Sequence, residues 1–248
     1  MEYLANHSYY GNLCAIFYDA TKKFASSAEL NFYTSFMQPQ GRVLEAMTGS
    51  GRLQIPLMQA GYMVDGVDCS LEMLERCKLR SASFGLVPSL YQQYLHQLDL
   101  PHKYQTVVIA VGSFQLITDY QVALTALIKI REHMLPDGDL LFSVFDPCVS
   151  AEPWSKRVVR LDAKTVLNLT TRRQFDIAQK TADAYCNYEL LVNGQLAQAE
   201  QEMISIVRYS DCELNTLLDL AGFKIIKTHD YPLPSDDHSR IIQAKLKL

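Results

Sequence analysis

Glu45, Gly49, Gly51 and Asp68 are the residues whose types and spacing can do chemistry. The two glycines lie in the segment Arg42-Val-Leu-Glu-Ala-Met-Thr-Gly-Ser-Gly-Arg52, just after an apolar run that ends in Glu45, and Tyr62-Met-Val-Asp-Gly-Val-Asp68 follows. A glycine turn at the carboxyl end of a strand lets a ligand touch the backbone, because no Cβ intervenes, and the helix start beyond it presents unpaired N–H groups. An acid about 20 residues further on can accept two charge-assisted hydrogen bonds from a ribose diol. A nucleoside ligand needs these groups. The full dinucleotide pattern G-x-G-x-x-G is incomplete, because Gln54 holds its third position. Asp68 has a competing role as the cap of a helix starting at Ser70-Leu71, and Glu45 as an ion-pair partner of Arg52 or a lysine.

The elements that position these groups are legible from periodicity. A strand through Val43-Leu44 leads into a helix carrying Leu53, Leu57 and Met58, which stops at Ala60-Gly61, and a second strand ends in Asp68. Downstream, Asp99-Leu100-Pro101 precedes a strand Thr106–Val111 that ends in Gly112-Ser113-Phe114. A helix up to Met134 leads through Leu135-Pro136-Asp137-Gly138 into a strand Leu140–Phe145.

With Glu45 ahead of the glycines, these pieces in this order resemble class I S-adenosylmethionine-dependent methyltransferases of the small-molecule type, from residue 40 to residue 150. Ala221-Gly222-Phe223 before a late strand fits the carboxyl-terminal part of that family. The resemblance implies an α/β, Rossmann-like, mostly parallel seven-stranded sheet with helices on both faces and an antiparallel closing strand. The implied cofactor is S-adenosyl-L-methionine, with S-adenosyl-L-homocysteine as product and no metal. Gly49 and Gly51, with Ala46 and Met47, would wall the methionyl part, Glu45 would order the loop, and Asp68 would hold the ribose. Cys69 and Met73 would pack on the adenine, and Gly112 and Ser113 would border the methyl group. Two positions depart from the family pattern. Met47 stands where the family has its first glycine, and is accommodated if the backbone needs no positive φ. Tyr94 stands where many members place an acid for the adenine amino group, which leaves Gln93 or a backbone group for that task.

Outside the core, Phe24, Ala28, Phe32 and Phe36 predict one helix packed on the sheet, and the aromatic stretch Tyr9-Tyr10 and Phe17-Tyr18 ahead of it resembles a segment that closes over the cofactor. From Trp154 to Arg208 the pattern alternates, with Asn193-Gly194 as a hairpin turn, and Ser210-Asp-Cys-Glu213 is a capping box that marks the return to helix. The organisation expected is a helical cap or lid over 1–40, a Rossmann-like core over 41–150 and 209–248, and an antiparallel β insert over 151–208 covering the acceptor. Tyr18, Phe114, Gln115, Trp154, Tyr185, Tyr188 and Arg208 are the candidate acceptor linings. Candidate general bases are Tyr18, His96, Asp119 and His133, although His133 sits near a helix end and suits dipole complementation.

Composition narrows the partners. Across 248 residues the formal net charge is −4, and with a pI near 5.9 no basic face is expected for nucleic acid. Cys14, Cys69, Cys77, Cys148, Cys186 and Cys212 form no C-x-x-C pair, and Asp236-Asp237-His238 reads as a solvated loop rather than a metal site. No apolar run reaches the roughly 18 residues of a spanning helix. The expectation is a cytoplasmic monomer or homodimer acting on a small-molecule acceptor, away from membranes and nucleic acid. Other readings are a non-catalytic module of the same fold, a methyltransferase acting on protein or RNA, and a nicotinamide-dependent oxidoreductase, the last disfavoured by Gln54.

Overall fold

The computed structural model describes residues 10–22, 24–147, 149–232 and 239–247. Tyr9, Cys148 and Asp236-Asp237-His238 lie outside the described residues. The strands are β1 (Arg42–Ala46), β2 (Met63–Asp68), β3 (Ser89–Gln92), β4 (Tyr104–Ile109), β5 (Met134–Val144), β6 (Ser155–Arg160), β7 (Thr165–Asp176), β8 (Thr181–Val192), β9 (Gln195–Val207), β10 (Phe223–Asp230) and β11 (Arg240–Leu246). The helices are α1 (Asn12–Thr21), α2 (Ser27–Thr34), α3 (Gln54–Gln59), α4 (Leu71–Ala82), α5 (Tyr120–Glu132) and α6 (Asp211–Leu220).

Seven strands form one sheet in the order β10-β11-β5-β4-β1-β2-β3, and four form a second in the order β6-β7-β8-β9. In the large sheet β11 pairs antiparallel with both β5 and β10, and the pairs from β5 across to β3 are parallel. The Rossmann-like expectation, with its closing antiparallel strand and its antiparallel insert, is met. The central strands are buried on both faces, which is why the sequence shows continuous apolar runs there. Leu44, Val107 and Phe142 pack with Leu127 and Ile130 of α5 and Leu217 of α6. Val43, Val108 and Leu141 face the other way, onto Tyr33 of α2 and Leu57 of α3. Chain order reverses between β4 and β1, so a crevice opens at the carboxyl ends of those two strands, where open α/β sheets bind ligands.

The amino-terminal expectation needs correction. The expected helix through Phe24 to Phe36 is shortened to α2, because Ser26 and Glu29 form a reciprocal capping box that starts it after Phe24. Phe24 packs edge-on against Phe84 with the Arg80 guanidinium over its ring, and Phe32 and Phe36 pack on His229. β4 ends two residues earlier than its apolar run, because Val111 turns to a left-handed φ of 55°.

Candidate active site

The turn after β1 is held from several sides. Gly49 and Gly51 have φ of 56° and 80°. A Cβ built on Gly51 would lie 2.6 Å from Cys77 Sγ, so only glycine fits, whereas one on Gly49 would meet nothing nearer than Met73 Sδ at 4.0 Å. The space above Gly49 is therefore open to a ligand. Met47, at the family's first glycine position, has φ of 60°. The condition for accommodating its Cβ without strain, a backbone that needs no positive φ, is not met: a methionine occupies the left-handed region there, a conformation that costs a non-glycine residue about 1–3 kcal/mol.

Asp68 reaches across from β2. Its Oδ2 accepts the Gly49 N–H at 2.8 Å and its Oδ1 accepts the Ser70 N–H at 2.9 Å. The cap of α4 is Ser70, whose hydroxyl accepts from Met73 N, so the competing role of Asp68 as that cap is corrected. Burial pushes the Asp68 carboxyl up while the Ser70, Gly49 and Cys69 amides pull it down. A carboxylate offers about four lone-pair sites, so the three amides leave capacity for a ribose hydroxyl. Cys69 and the buried Met73 follow at the head of α4. The side-chain amide of Gln93 clamps the backbone of Asp99, accepting from its N–H at 2.8 Å and donating to its carbonyl at 2.9 Å, and the Gln93 backbone N–H donates to the Asp68 carbonyl.

Glu45 is buried, and burial pushes its carboxyl up to about 8. Thr48 Oγ1 lies 3.0 Å from both Glu45 Oε2 and Gln54 Oε1. A hydroxyl has one hydrogen, so a protonated Glu45 donating to Thr48, which donates to Gln54, satisfies all three. Gln54 thus does structural work at the missing third glycine: its Nε2 lies within hydrogen-bonding reach of the Val64 and Ser89 carbonyls, and Gly66 provides the room, since a Cβ there would lie 2.6 Å from Gln54 Oε1. The competing role of Glu45, as ion-pair partner of Arg52 or a lysine, does not hold among the described residues. Arg52 forms a two-pronged pair with Glu29, which also accepts the Tyr231 hydroxyl at 2.6 Å.

At the end of β4, Gly112 also takes a positive φ, 68°, and a Cβ on it would collide with the Phe145 ring. Its N–H donates to Ser143 Oγ at 2.7 Å, and the Ser113 hydroxyl donates to the Ala110 carbonyl. Val111, which the sequence reading passed over, leaves its side chain partly exposed at the crevice. Phe114 and Gln115 are corrected as acceptor linings. Phe114 is fully buried against Phe142 and Tyr209. Gln115 donates to the carbonyls of Phe145 and Val207 and accepts the Phe145 N–H, tying the end of β5 to the end of β9.

The segment Tyr10–Thr21 straps the crevice. Glu200 on β9 accepts the Leu13 and Cys14 N–H groups, Glu202 accepts the Gly11 N–H, Ser70 donates to the Tyr10 carbonyl, and Asp19 pairs with Arg76 and Arg80. The Tyr10 and Tyr18 rings meet edge to face. Burial raises both phenols, with Asp68 among the charges acting on Tyr10, and Arg52 and Glu45 among those acting on Tyr18. Tyr18 is therefore a neutral hydroxyl at physiological pH and not a phenolate base. The strap carboxylates were missed because the contacts that reveal them span nearly the whole chain.

Two other base candidates have structural duties. Asp119 caps α5 by accepting the Val122 N–H. His133 accepts the Leu100 N–H on Nε2, which makes it a neutral imidazole whose Nδ1–H donates to the Lys129 carbonyl. It thus complements the helix end by a hydrogen bond, without a charge. His96 stacks near Tyr94 in the loop after β3. On the insert, Tyr188 is corrected: strand alternation points it the opposite way from Tyr185, into the packing with Phe17, and its hydroxyl meets Cys14 Sγ. Trp154 and Tyr185 do share a groove of about 430 Å³. Arg208 is exposed just beyond β9. Among the described residues there is no three-membered cluster of metal-ligating side chains and no helix long and apolar enough to cross a membrane.

Residues 43–138 match the family model described as a methyltransferase domain. A putative methyltransferase of Geobacillus sp. (strain WCH70) is 27% identical over 139 residues, covering 52% of this chain and 55% of that protein. The chain spans about half the length of the curated relatives it matches. Among solved structures, an S-adenosylmethionine-dependent methyltransferase from Clostridium acetobutylicum ATCC 824 superposes with a TM-score of 0.74 at 16% identity, over 94% of this chain and 98% of that one. CalS10, an amino pentose methyltransferase from Micromonospora echinaspora solved with S-adenosylmethionine bound, gives 0.72 at 12% identity over 97% and 99%. At these identities the likeness is one of fold.

Proposed function

We propose that this chain, which carries a methyltransferase domain across residues 43–138 and has the fold of class I S-adenosylmethionine-dependent methyltransferases, moves a methyl group to a nitrogen or oxygen of a small molecule. One observation carries the reading. The open turn at Gly49 and the ribose-type acid Asp68 are locked together by a 2.8 Å hydrogen bond beside the crevice where strand order reverses. These residues fit the cofactor: the space over Gly49 admits its methionyl part, and Asp68 has capacity left to accept from a ribose hydroxyl.

When bound, the cofactor supplies an electrophilic methyl on a sulfonium that becomes a neutral thioether. The chain's own contribution is alignment and exclusion of water. Positioning alone can supply about 7–11 kcal/mol of barrier reduction, so no protein nucleophile is required. Asp68 orients the ribose, the Gly49–Gly51 backbone walls the methionyl part, and Tyr10 and Tyr18 shut the strap over both. Val111 and Gly112 present backbone at the methyl-bearing end, preorganised by their left-handed conformations. The insert over 151–208 covers the acceptor, with Trp154 and Tyr185 as its aromatic walls. The net charge of −4 supports a small acceptor over nucleic acid.

The test is chromatographic assay of S-adenosylhomocysteine during incubation with S-adenosylmethionine and a panel of small amines and alcohols. Acceptor-dependent release is expected for at least one member. Release that no amine or alcohol stimulates, with a peptide or RNA stimulating it instead, sinks the small-molecule reading.

A further inference from the structure

The helices α2, α4, α5 and α6 close their own amino ends: Ser26 and Ser210 through capping boxes, Ser70 and Asp119 by accepting from Met73 N and Val122 N. Among the described residues α1 has no such group of its own. Its N-cap is Gly11, and no acidic residue lies in its first turn. The first N–H groups of a helix need acceptors, and here β9 supplies them. Glu200 accepts from Leu13 N at 3.0 Å and from Cys14 N at 3.3 Å, and Glu202 accepts the Gly11 N–H. Residues two apart on a strand share a face, so two like charges are held side by side under the positive end of α1. Gly11 has φ of −68° and ψ of −175°, backbone open to any residue, so its conformation does not call for glycine. What glycine gives is room: a Cβ there would lie 2.5 Å from Glu200 Oε1. The other end of α1 is fastened to the core, where Asp19 accepts from Arg76 Nε at 2.7 Å and Arg80 Nη1 at 3.0 Å, both on α4. Tyr10, next to Gly11, has its carbonyl on the Ser70 hydroxyl at 2.9 Å, and Asp68 is among the charges acting on its phenol.

We propose that Glu200 and Glu202 are the catch of a lid: they hold the amino end of α1 down on the insert so that Tyr10 closes over a ligand on Asp68, while the Asp19 pairs are the fixed end. The inference rests on the methyl-transfer reading for the identity of that ligand, the cofactor or its product. Both glutamates are positioning residues, acting on the ligand through the strap. Because the catch belongs to the insert, and Gln115 ties the end of β9 to the end of β5, the lid shuts only with the insert in place.

The test is the rate of S-adenosylhomocysteine dissociation and association, measured by surface plasmon resonance on the immobilised full chain. In the double variant Glu200→Ala, Glu202→Ala, dissociation should be about ten-fold faster with association no slower, because an unlatched strap admits a ligand as readily as it releases one. Gly11→Ala keeps both charges and displaces the Glu200 carboxylate, so dissociation should be about three-fold faster, which decides the matter if the double variant does not fold. Gly194→Ala strains the insert's hairpin turn, where a Cβ meets nothing within 4 Å, and should leave both rates at their wild-type values. Dissociation less than about two-fold faster in either catch variant, or accelerated equally in Gly194→Ala, overturns the proposal. A wild type that does not bind S-adenosylhomocysteine removes the methyl-transfer reading and the lid with it, whereas binding with unchanged variant rates removes the lid alone.

Discussion

The turn after β1 and the groove on the insert are built in opposite ways. The turn is made of residues close in sequence whose polar groups are all answered: Asp68 by Gly49 and Ser70, Glu45 by Thr48, and Gln54 by two carbonyls. The groove on the insert is made of residues brought together by pairing across three strands, and Asp183, on the same strand face but outside its walls, keeps a buried Oδ1 without a partner. On the reading above, the first recognises a ligand common to many enzymes and is finished before the ligand arrives. The second joins residues far apart in the sequence, and strand register sets its walls.

The contrast can be broken at its glycines. Gly51→Ala faces both φ of 80° and a 2.6 Å approach to Cys77 Sγ, and should cost about 3 kcal/mol by chemical denaturation. Gly194→Ala, at φ of 77° in the insert hairpin with nothing within 4 Å, should cost about 1 kcal/mol. Equal costs would mean that the core turn is no tighter than an exposed hairpin.

Protonation sharpens it next. The folded Glu45 carboxyl is raised to about 8, above its ordinary value of 4.5. Between those pH values the folded state binds a proton that the unfolded state does not, so this residue makes stability fall as pH rises. Glu45→Gln should remove that slope and be more stable than wild type above pH 8, by a few kcal/mol, with the difference shrinking toward pH 4.5. Melting temperatures across that range measure it, and parallel curves would refute the buried, protonated carboxyl.

The smallest effects probe the crevice against the strap. Val111→Gly should stabilise by about 1 kcal/mol, because it removes a β-branched side chain from a left-handed backbone, net of the entropy glycine adds to the unfolded chain. Tyr188→Phe, which loses only the hydroxyl contact to Cys14 Sγ under α1, should cost about 1 kcal/mol or less. Urea denaturation separates the two by sign.

Legibility in the sequence follows the same division. The parallel strands, the glycine turn, Asp68 and the Asn193-Gly194 hairpin are written in short windows, where period, turn chemistry and caps carry the signal. The start of α2 was equally local, in Ser26 and Glu29, and was overlooked beneath the phenylalanine stripe. Phe114, Gln115 and Tyr188 misled because aromatic and amide types do not say which way a side chain turns; for Tyr188 the strand parity decides it. Met47 and Val111 could not be read as left-handed, since their types disfavour that region and only the surrounding turn imposes it. The burial of the strap carboxylates Glu200 and Glu202 and of Asp183 on β8 is a product of tertiary pairing.

The most direct measurement is calorimetric titration of the wild type and Asp68→Ala with S-adenosylhomocysteine, with NAD as control. Micromolar binding to the wild type is predicted, weakened about 100-fold in the variant by loss of about 3 kcal/mol of charge-assisted hydrogen bonding, with no heat from NAD. A wild type that takes up NAD but not S-adenosylhomocysteine would contradict the account.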